Sequence, residues 1–138
     1  MNNIVIVDYG MGNLNSVKKA FEQLGASVEI SSDKATISKA DKLILPGVGH
    51  FGKAMENIKK LEFDLLLSEL VLEKKIPVLG ICLGMQLMLH YSEEGNTEGL
   101  GWLKGKVRKI QVSDDFVSLV TEGKKPVKKN TTPIRETT

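Results

Sequence analysis

Four short runs with the pattern of a strand, each followed by a helical pattern, constrain the fold of this chain more than any other feature. The runs cover residues 3–7, 27–31, 42–45 and 77–81. Short apolar runs of this kind are typical of strands that are buried on both faces of a parallel sheet. Their alternation with helices predicts an α/β fold: a doubly wound, mainly parallel sheet with helices on both faces.

The helices between these runs are predicted from apolar residues at helical spacing. The first helix contains Val17, Ala20, Phe21 and Leu24, and Gly25 follows at a position typical of a C-cap. Further helices are predicted around residues 35–40, 54–61, 63–74 and 84–90. Residues 96–101 are predicted to form a loop, and residues 105–112 a last strand.

The bulk composition predicts one soluble domain. The 138 residues contain one cysteine, which cannot form an internal disulfide, so the expected compartment is the reducing cytoplasm. No apolar run reaches the roughly 18 residues that a membrane-spanning helix needs, and the N-terminus is unlike a signal peptide. We therefore expect no membrane partner.

The last part of the chain differs from the rest in charge. From residue 122 to 138 there are five basic residues against two acidic ones. No aromatic residue is interleaved with these lysines, so nucleic acid would find no stacking platform there. The expected organisation is a domain part over residues 1–115, followed by a basic tail over residues 116–138 that is predicted to be disordered.

Cys82 is the only cysteine, and its neighbours predict that it is a nucleophile. It lies between a predicted strand and a predicted helix, and Gly80 and Gly84 flank it at two positions to either side. This G-x-C-x-G spacing is the cysteine version of the nucleophile elbow, a turn so tight that both flanking positions favour glycine. A helix N-terminus after the turn would favour the thiolate. The alternative is a small buried cysteine with glycines that serve packing only.

A nucleophile of this kind needs backbone donors for the oxyanion that it creates. The N–H of Leu83, directly after Cys82, is the expected first donor. The sequence Pro-Gly-Val-Gly at residues 46–49 ends the third strand at the same edge of the sheet and could supply Val48 or Gly49 as the second. Taken alone, this segment is equally compatible with a simple turn.

The general base is harder to assign, because His50 and His90 are the only histidines. If His90 closes the helix that starts at Cys82, it lies about 12 Å away, too far to act. His50 is on the correct edge of the sheet, but no acidic residue near it in sequence could orient it. A loop or interface role is the preferred interpretation of His50.

Four segments together resemble a known family. They are "IVDYGMGNLNSV" at 6–17, "KLILPGVGHFG" at 42–52, "GICLGMQLM" at 80–88 and "EGLGW" at 98–102. They resemble the class I glutamine amidotransferases, and among these the glutaminase subunits of imidazole glycerol phosphate synthase. The resemblance covers residues 1 to about 115.

The resemblance implies an enzyme that hydrolyses L-glutamine and supplies ammonia to a cyclase subunit, its partner in a cytoplasmic heterodimer of histidine biosynthesis. It implies no cofactor and no metal. Cys82 would attack the glutamine side-chain amide to form a thioester. The other residues carried over are an oxyanion group (Val48, Gly49, Leu83), a substrate group (Gln86 and, less closely matched, Glu94) and a partner-facing group (Asn13, Asn15). Asn13 is also suited to cap the first helix.

One departure from the family pattern leaves alternatives open. The family carries its base and orienting acid in an H-x-E motif, and this sequence contains none. The expectation is therefore a shortened glutaminase with impaired activity and without its base. The alternatives are a non-catalytic remnant or cyclase-binding module, a paralogous amidotransferase of another ammonia-using synthase, and a flavodoxin-like binding domain.

Overall fold

A computed structural model of the chain describes residues 2–110. Its main sheet contains four parallel strands in the order β2-β1-β3-β4. These strands are β1 (Ile4–Val7), β2 (Val28–Ser31), β3 (Lys42–Leu45) and β4 (Val78–Gly80). The four predicted strands are thus confirmed. The predicted domain boundary at residue 115 and the tail that follows it lie outside the described residues.

Helices cover both faces of this sheet, as predicted. They are α1 (Leu14–Gln23), α2 (Lys34–Ser38), α3 (Phe51–Lys60), α4 (Phe63–Ser68), which continues into a π-helical turn (Glu69–Glu73), and α5 (Leu83–Leu87). Leu14, Val17 and Phe21 of α1 pack on one face against Ile6 and Ile44. Helices α2, α3 and α4 pack on the other face, where the larger core cluster lies. Leu24 is the C-cap residue of α1, and Gly25 follows it with φ +85°, so the predicted glycine ends the helix one position after the cap.

A second, smaller sheet follows the Cys82 turn. It contains β5 (Leu89–Ser92), β6 (Thr97–Glu98) and β7 (Leu103–Val107) in the order β6-β5-β7. Strand β5 is antiparallel to β6 and parallel to β7. The predicted loop at 96–101 therefore contains a short strand, and the predicted strand at 105–112 begins earlier, at Leu103.

The prediction that a helix runs from residue 84 to His90 is wrong. Helix α5 ends at Leu87, and His90 lies in β5. The apolar residues around it suit either structure, and pairing decides between them. Leu89 pairs with Leu103 of β7, and the His90 carbonyl accepts the Gly99 N–H at 3.0 Å. The 12 Å separation inferred from a continuous helix therefore has no basis.

The parallel strands bring the sites of interest to one edge of the main sheet. Residues 8 and 9 follow β1, residues 46–49 follow β3, and Cys82 follows β4 after one intervening residue. Ligands of open α/β sheets bind at this carboxyl edge. No helix within residues 2–110 is long and apolar enough to cross a bilayer, and the same residues contain no His, Cys, Asp and Glu cluster that could hold a metal ion.

Strand β4 is an edge strand among the described residues, and it generates a prediction about self-association. Leu79 lies opposite Ile44 on the α1 face and is 49% exposed. Exposed edge strands with apolar side chains promote association between chains. We expect the chain to self-associate at micromolar concentration and Leu79→Lys to reduce this, as measured by sedimentation velocity.

Leu65→Lys is the matched control, because Leu65 is 77% exposed on α4 and away from the strand edge. Equal effects of the two substitutions would show that general surface apolarity, and not the β4 edge, drives association.

Candidate active site

Cys82 adopts a backbone conformation that few residues other than glycine tolerate. Its φ is 53° and its ψ is −118°, outside the three regions favoured by L-residues. Glu62, which also has positive φ, lies in the ordinary left-handed region at φ 58° and ψ 30°. A strained non-glycine residue between a strand and a helix is the geometry of a nucleophile elbow.

The two flanking glycines are required by close packing, as the spacing predicts. A Cβ at Gly84 would collide with the backbone carbonyl of Leu45, at the end of β3. A Cβ at Gly80 would lie 2.6 Å from both the Cα of Met85 and the sulfur of Met88. Since Cβ atoms do not approach backbone atoms this closely, any larger residue would push α5 away from the sheet.

The thiol of Cys82 is exposed at the surface of this turn. The helix that follows it, α5, has only five residues, so it contributes a weaker dipole than the longer helix predicted. Within residues 2–110, the thiol forms no hydrogen bond with either histidine. The structure thus exposes Cys82 to solvent.

Of the predicted oxyanion donors, Leu83 directly follows Cys82, and its N–H is occupied. The Leu83 N–H donates to the Gly47 carbonyl at an N···O distance of 3.2 Å. Val48 is 58% exposed, and Gly49 has φ +114°. A rotation of the peptide between Gly47 and Val48 would remove the carbonyl from the Leu83 N–H. The Leu83 N–H is therefore not available as an oxyanion donor in this structure.

Tyr9 is a contact residue of this region that the sequence interpretation missed. Its hydroxyl donates to the Pro46 carbonyl at 2.5 Å, and its side chain is only 1% exposed. Burial raises the pKa of the Tyr9 phenol. A signal was present in the sequence, because a tyrosine two positions after a buried strand must find a polar partner when its ring is buried.

The two predicted substrate residues lie at one cavity. Its volume is ≈ 540 Å³, and it is lined by Gln86, Glu93, Glu94, Val107, Arg108 and Lys109. The Glu94 carboxylate also accepts the Phe51 N–H at 2.7 Å, at the start of α3. The cavity therefore combines carboxylate and basic side chains, of which Arg108 and Glu93 pair with each other at 3.4 Å.

Both histidines have structural roles in the described part of the chain. His50 is the N-cap of α3, and its Nδ1 accepts the Lys53 N–H at 3.3 Å. The Nδ1 of His90 accepts the Gly105 N–H at 2.9 Å, which joins β5 to β7. The preferred interpretation of His50 as a loop residue is refined to that of a helix cap.

The predicted partner-facing residues are both exposed at the start of α1. Asn13 occupies the N-cap position, but its side chain makes no capping hydrogen bond. The capping position for which Asn13 is suited is thus confirmed, but without a side-chain hydrogen bond. Its backbone carbonyl instead accepts the first helical bond, from the Val17 N–H at 3.3 Å.

Comparisons with known proteins show the family to which the chain belongs. The family model "Glutamine amidotransferase class-I" matches residues 5–138. Curated relatives are named imidazole glycerol phosphate synthase subunit HisH. One, from Staphylococcus aureus (strain bovine RF122 / ET3-1), is 50% identical over 108 aligned residues, and the alignment covers 78% of this chain and 55% of the relative. "HisH 1" from Campylobacter jejuni (strain 81-176) is 53% identical over 109 residues, 78% of this chain and 54% of its own. The chain spans about half the length of the curated relatives it matches.

A solved structure supports the fold alone. It is titled "Crystal structure of glutamine amidotransferase" and superposes with a TM-score of 0.66 at 21% identity. The superposition covers 76% of this chain and 56% of the other.

Gly84→Ala should destabilise the fold, because the new Cβ meets a backbone carbonyl that cannot move aside. We expect a loss of about 3 kcal/mol in the free energy of unfolding, measured by urea denaturation. Gly101→Ala is the control: nothing lies within 4 Å of its Cβ position, and its φ is +72°. Its expected cost is about 1 to 2 kcal/mol, from backbone strain alone. Equal costs would contradict the packing role of Gly84.

His50→Ala should remove the cap of α3 and lower the free energy of unfolding by about 1 kcal/mol. His50→Asn should restore most of this loss, because an asparagine oxygen accepts the same kind of N–H bond. Thermal and urea denaturation of the three chains would measure both effects. A His50→Asn variant as unstable as His50→Ala would show that the cap is not what His50 contributes.

Proposed function

Because this chain belongs to the class I glutamine amidotransferases, we propose that it carries the nucleophile half of a glutaminase, which hydrolyses glutamine to glutamate and ammonia. The observation that carries the proposal is the backbone of Cys82. A non-glycine residue at φ 53° and ψ −118°, held between two glycines that packing requires, exposes a thiol at the carboxyl edge of the sheet. A cysteine that served only packing would be buried and would need no such strain.

The proposed reaction has two steps. The Cys82 sulfur attacks the side-chain amide carbon of glutamine, a C–S bond forms, the C–N bond breaks, and ammonia leaves with the proton that the thiol gives up. Water then attacks the thioester, the C–S bond breaks, and glutamate and the free thiol are formed. Each step passes through an oxyanion, which backbone N–H groups stabilise.

We assign the oxyanion donors to Leu83 and to the Val48–Gly49 segment. The Leu83 N–H now donates to the Gly47 carbonyl, so the chain as described is in a closed form of the site. Rotation of the Gly47–Val48 peptide would free the Leu83 N–H. It would also turn the Val48 N–H to the side where the Gly47 carbonyl now lies, so that both N–H groups could donate to one oxyanion. Activation of the proposed glutaminase therefore requires this rotation.

Substrate selection is assigned to Gln86 and Glu94. Both line the ≈ 540 Å³ cavity, which is large enough for one amino acid. One oxygen of the Glu94 carboxylate accepts the Phe51 N–H. A carboxylate has further acceptor positions, which the α-ammonium group of glutamine could use. A free amino acid would be held by charge at the end remote from the reacting amide.

We propose a cyclase as the partner and the cytoplasm as the compartment. The matched relatives are named as subunits of imidazole glycerol phosphate synthase. The Asn13 side chain is free of helix capping and exposed together with Asn15, so both amides are available to a partner surface. A single cysteine nucleophile also needs a reducing compartment to stay a thiol.

The proposal assigns no general base among residues 2–110, since both histidines bind backbone N–H groups through Nδ1. General acid–base catalysis typically contributes about 10² to 10⁴ in rate. A test of recognition should therefore not depend on a base.

A chloromethyl-ketone analogue of L-glutamine meets this need. The Cys82 thiolate displaces chloride directly, so a C–S bond forms and a C–Cl bond breaks without help from a base. We expect labelling at Cys82, detected by peptide mass spectrometry, and protection by millimolar L-glutamine but not by D-glutamine. Glu94→Gln should weaken the protection by about tenfold, because it removes the charge that faces the α-ammonium group.

Two controls separate the glutaminase from a non-catalytic cyclase-binding module. Cys82→Ser should abolish labelling, and iodoacetamide should label Cys82 in the absence of L-glutamine, which would show that the thiol is accessible in the chain tested. If L-glutamine and D-glutamine slowed labelling by the analogue equally, or if neither slowed it, the chain would have no specific glutamine site. Partner binding would then be the better-supported function.

A further inference from the structure

We propose that the Tyr9 phenol is a positioning residue: its hydroxyl holds the Pro46 carbonyl and thereby keeps the Gly47 carbonyl on the Leu83 N–H. The catalytic meaning of this inference rests on the proposed function, in which that N–H is an oxyanion donor. The hydrogen bonds that Tyr9 and the Gly47 carbonyl make do not depend on any substrate.

The contact between Tyr9 and Pro46 joins the ends of two neighbouring strands. Tyr9 follows β1 and Pro46 follows β3, and these strands pair in parallel. The hydroxyl lies 2.5 Å from the Pro46 carbonyl oxygen, and the ring belongs to the main core cluster. A buried hydroxyl that lost this partner would be costly, and burial raises the pKa of the phenol, so it stays a donor at neutral pH.

Backbone carbonyls of residues 45, 46 and 47 point alternately to opposite sides, as in an extended strand. The Leu45 carbonyl accepts the Ile81 N–H at 3.0 Å, and the Gly47 carbonyl accepts the Leu83 N–H at 3.2 Å. Both bonds are directed at the Cys82 turn. Between them, the Pro46 carbonyl is directed at the β1 side, where β1 has ended and no ladder N–H of residues 2–110 pairs with it. The Tyr9 hydroxyl takes the place of that missing donor.

The hydroxyl also contacts the residue whose peptide must rotate. A Cβ at Gly47 would collide with the Tyr9 hydroxyl oxygen. On its other side Tyr9 is fixed from α3, because the Asn57 Nδ2 donates to the Tyr9 carbonyl at 3.2 Å. Asn57, Tyr9 and Pro46 therefore form a continuous chain of contacts that ends at the Gly47 peptide.

This chain of contacts stabilises the closed form of the oxyanion site. As long as the Pro46 carbonyl is held, the alternation at residues 45–47 directs the Gly47 carbonyl to the Leu83 N–H. Loss of the hydroxyl frees the Pro46 peptide and makes rotation of the next peptide easier. A single hydrogen bond of this kind changes such an equilibrium by about two- to tenfold.

Amide hydrogen exchange of the ¹⁵N-labelled 138-residue chain tests this directly. In Tyr9→Phe we expect the Leu83 amide to exchange about two- to tenfold faster relative to the Ile81 amide. Ile81 is the internal reference, because its N–H binds the Leu45 carbonyl on the same turn. Tyr91→Phe is the matched control, since it removes a phenol hydrogen bond, 2.9 Å to Asn96 Oδ1, at a remote exposed position.

The ratio of the two amides separates positioning from simple loss of stability. If Tyr9→Phe accelerated both amides equally, or changed their ratio no more than Tyr91→Phe does, the proposal would be overturned. Asn57→Ala offers a milder variant should Tyr9→Phe not fold. It should raise the ratio of the Leu83 to the Ile81 exchange rate by a smaller factor, and an unchanged ratio in this variant would also contradict the proposal. Failure of glutamine to protect Cys82 would defeat the proposed function and leave this exchange result intact.

Discussion

The contact between the backbone that follows β3 and the Cys82 turn holds the site together. The Leu45 and Gly47 carbonyls accept the Ile81 and Leu83 N–H groups, and Gly84 lies directly against Leu45. These contacts place α5 on the end of the sheet without a side chain between them. The strained backbone of Cys82 is tolerated because its neighbours on both sides are held in this way.

The same contact explains why the site is formed and closed at once. The hydrogen bond from the Leu83 N–H to the Gly47 carbonyl continues the pairing of β3 past its end. This same N–H is the donor that the proposed chemistry needs for the oxyanion. A carbonyl that is satisfied in the closed form must lose its partner when the peptide rotates, so the open form needs compensation from elsewhere. Substrate charge or a partner surface could supply such compensation only by binding the open form better than the closed one.

The second sheet connects the proposed substrate cavity to the same region. Glu94 follows β5, and its carboxylate accepts the Phe51 N–H. Phe51 is the first residue of α3 and comes directly after His50, the N-cap of that helix. Residues 46–50 thus lie between two fixed points: the Tyr9 and Leu83 contacts at one end and the α3 N-terminus at the other. Only the exposed residues Val48 and Gly49 lie between these points, which confines easy motion to the proposed oxyanion segment.

The sequence by itself determined the four parallel strands and the glycine-flanked cysteine turn, because both follow from local rules: apolar runs bury strands, and a tight turn excludes Cβ atoms. It also placed Leu83, Val48 and Gly49 at the correct sheet edge, since parallel strands share their carboxyl ends. Only the tertiary structure decided that α5 stops at Leu87, because pairing of Leu89 with Leu103 outweighs the helical pattern. Likewise, only the tertiary structure decided that the Leu83 N–H is occupied and that Tyr9 holds Pro46. Those contacts join residues 36 and 37 positions apart, and no local pattern records which partner a buried polar group will meet across the sheet.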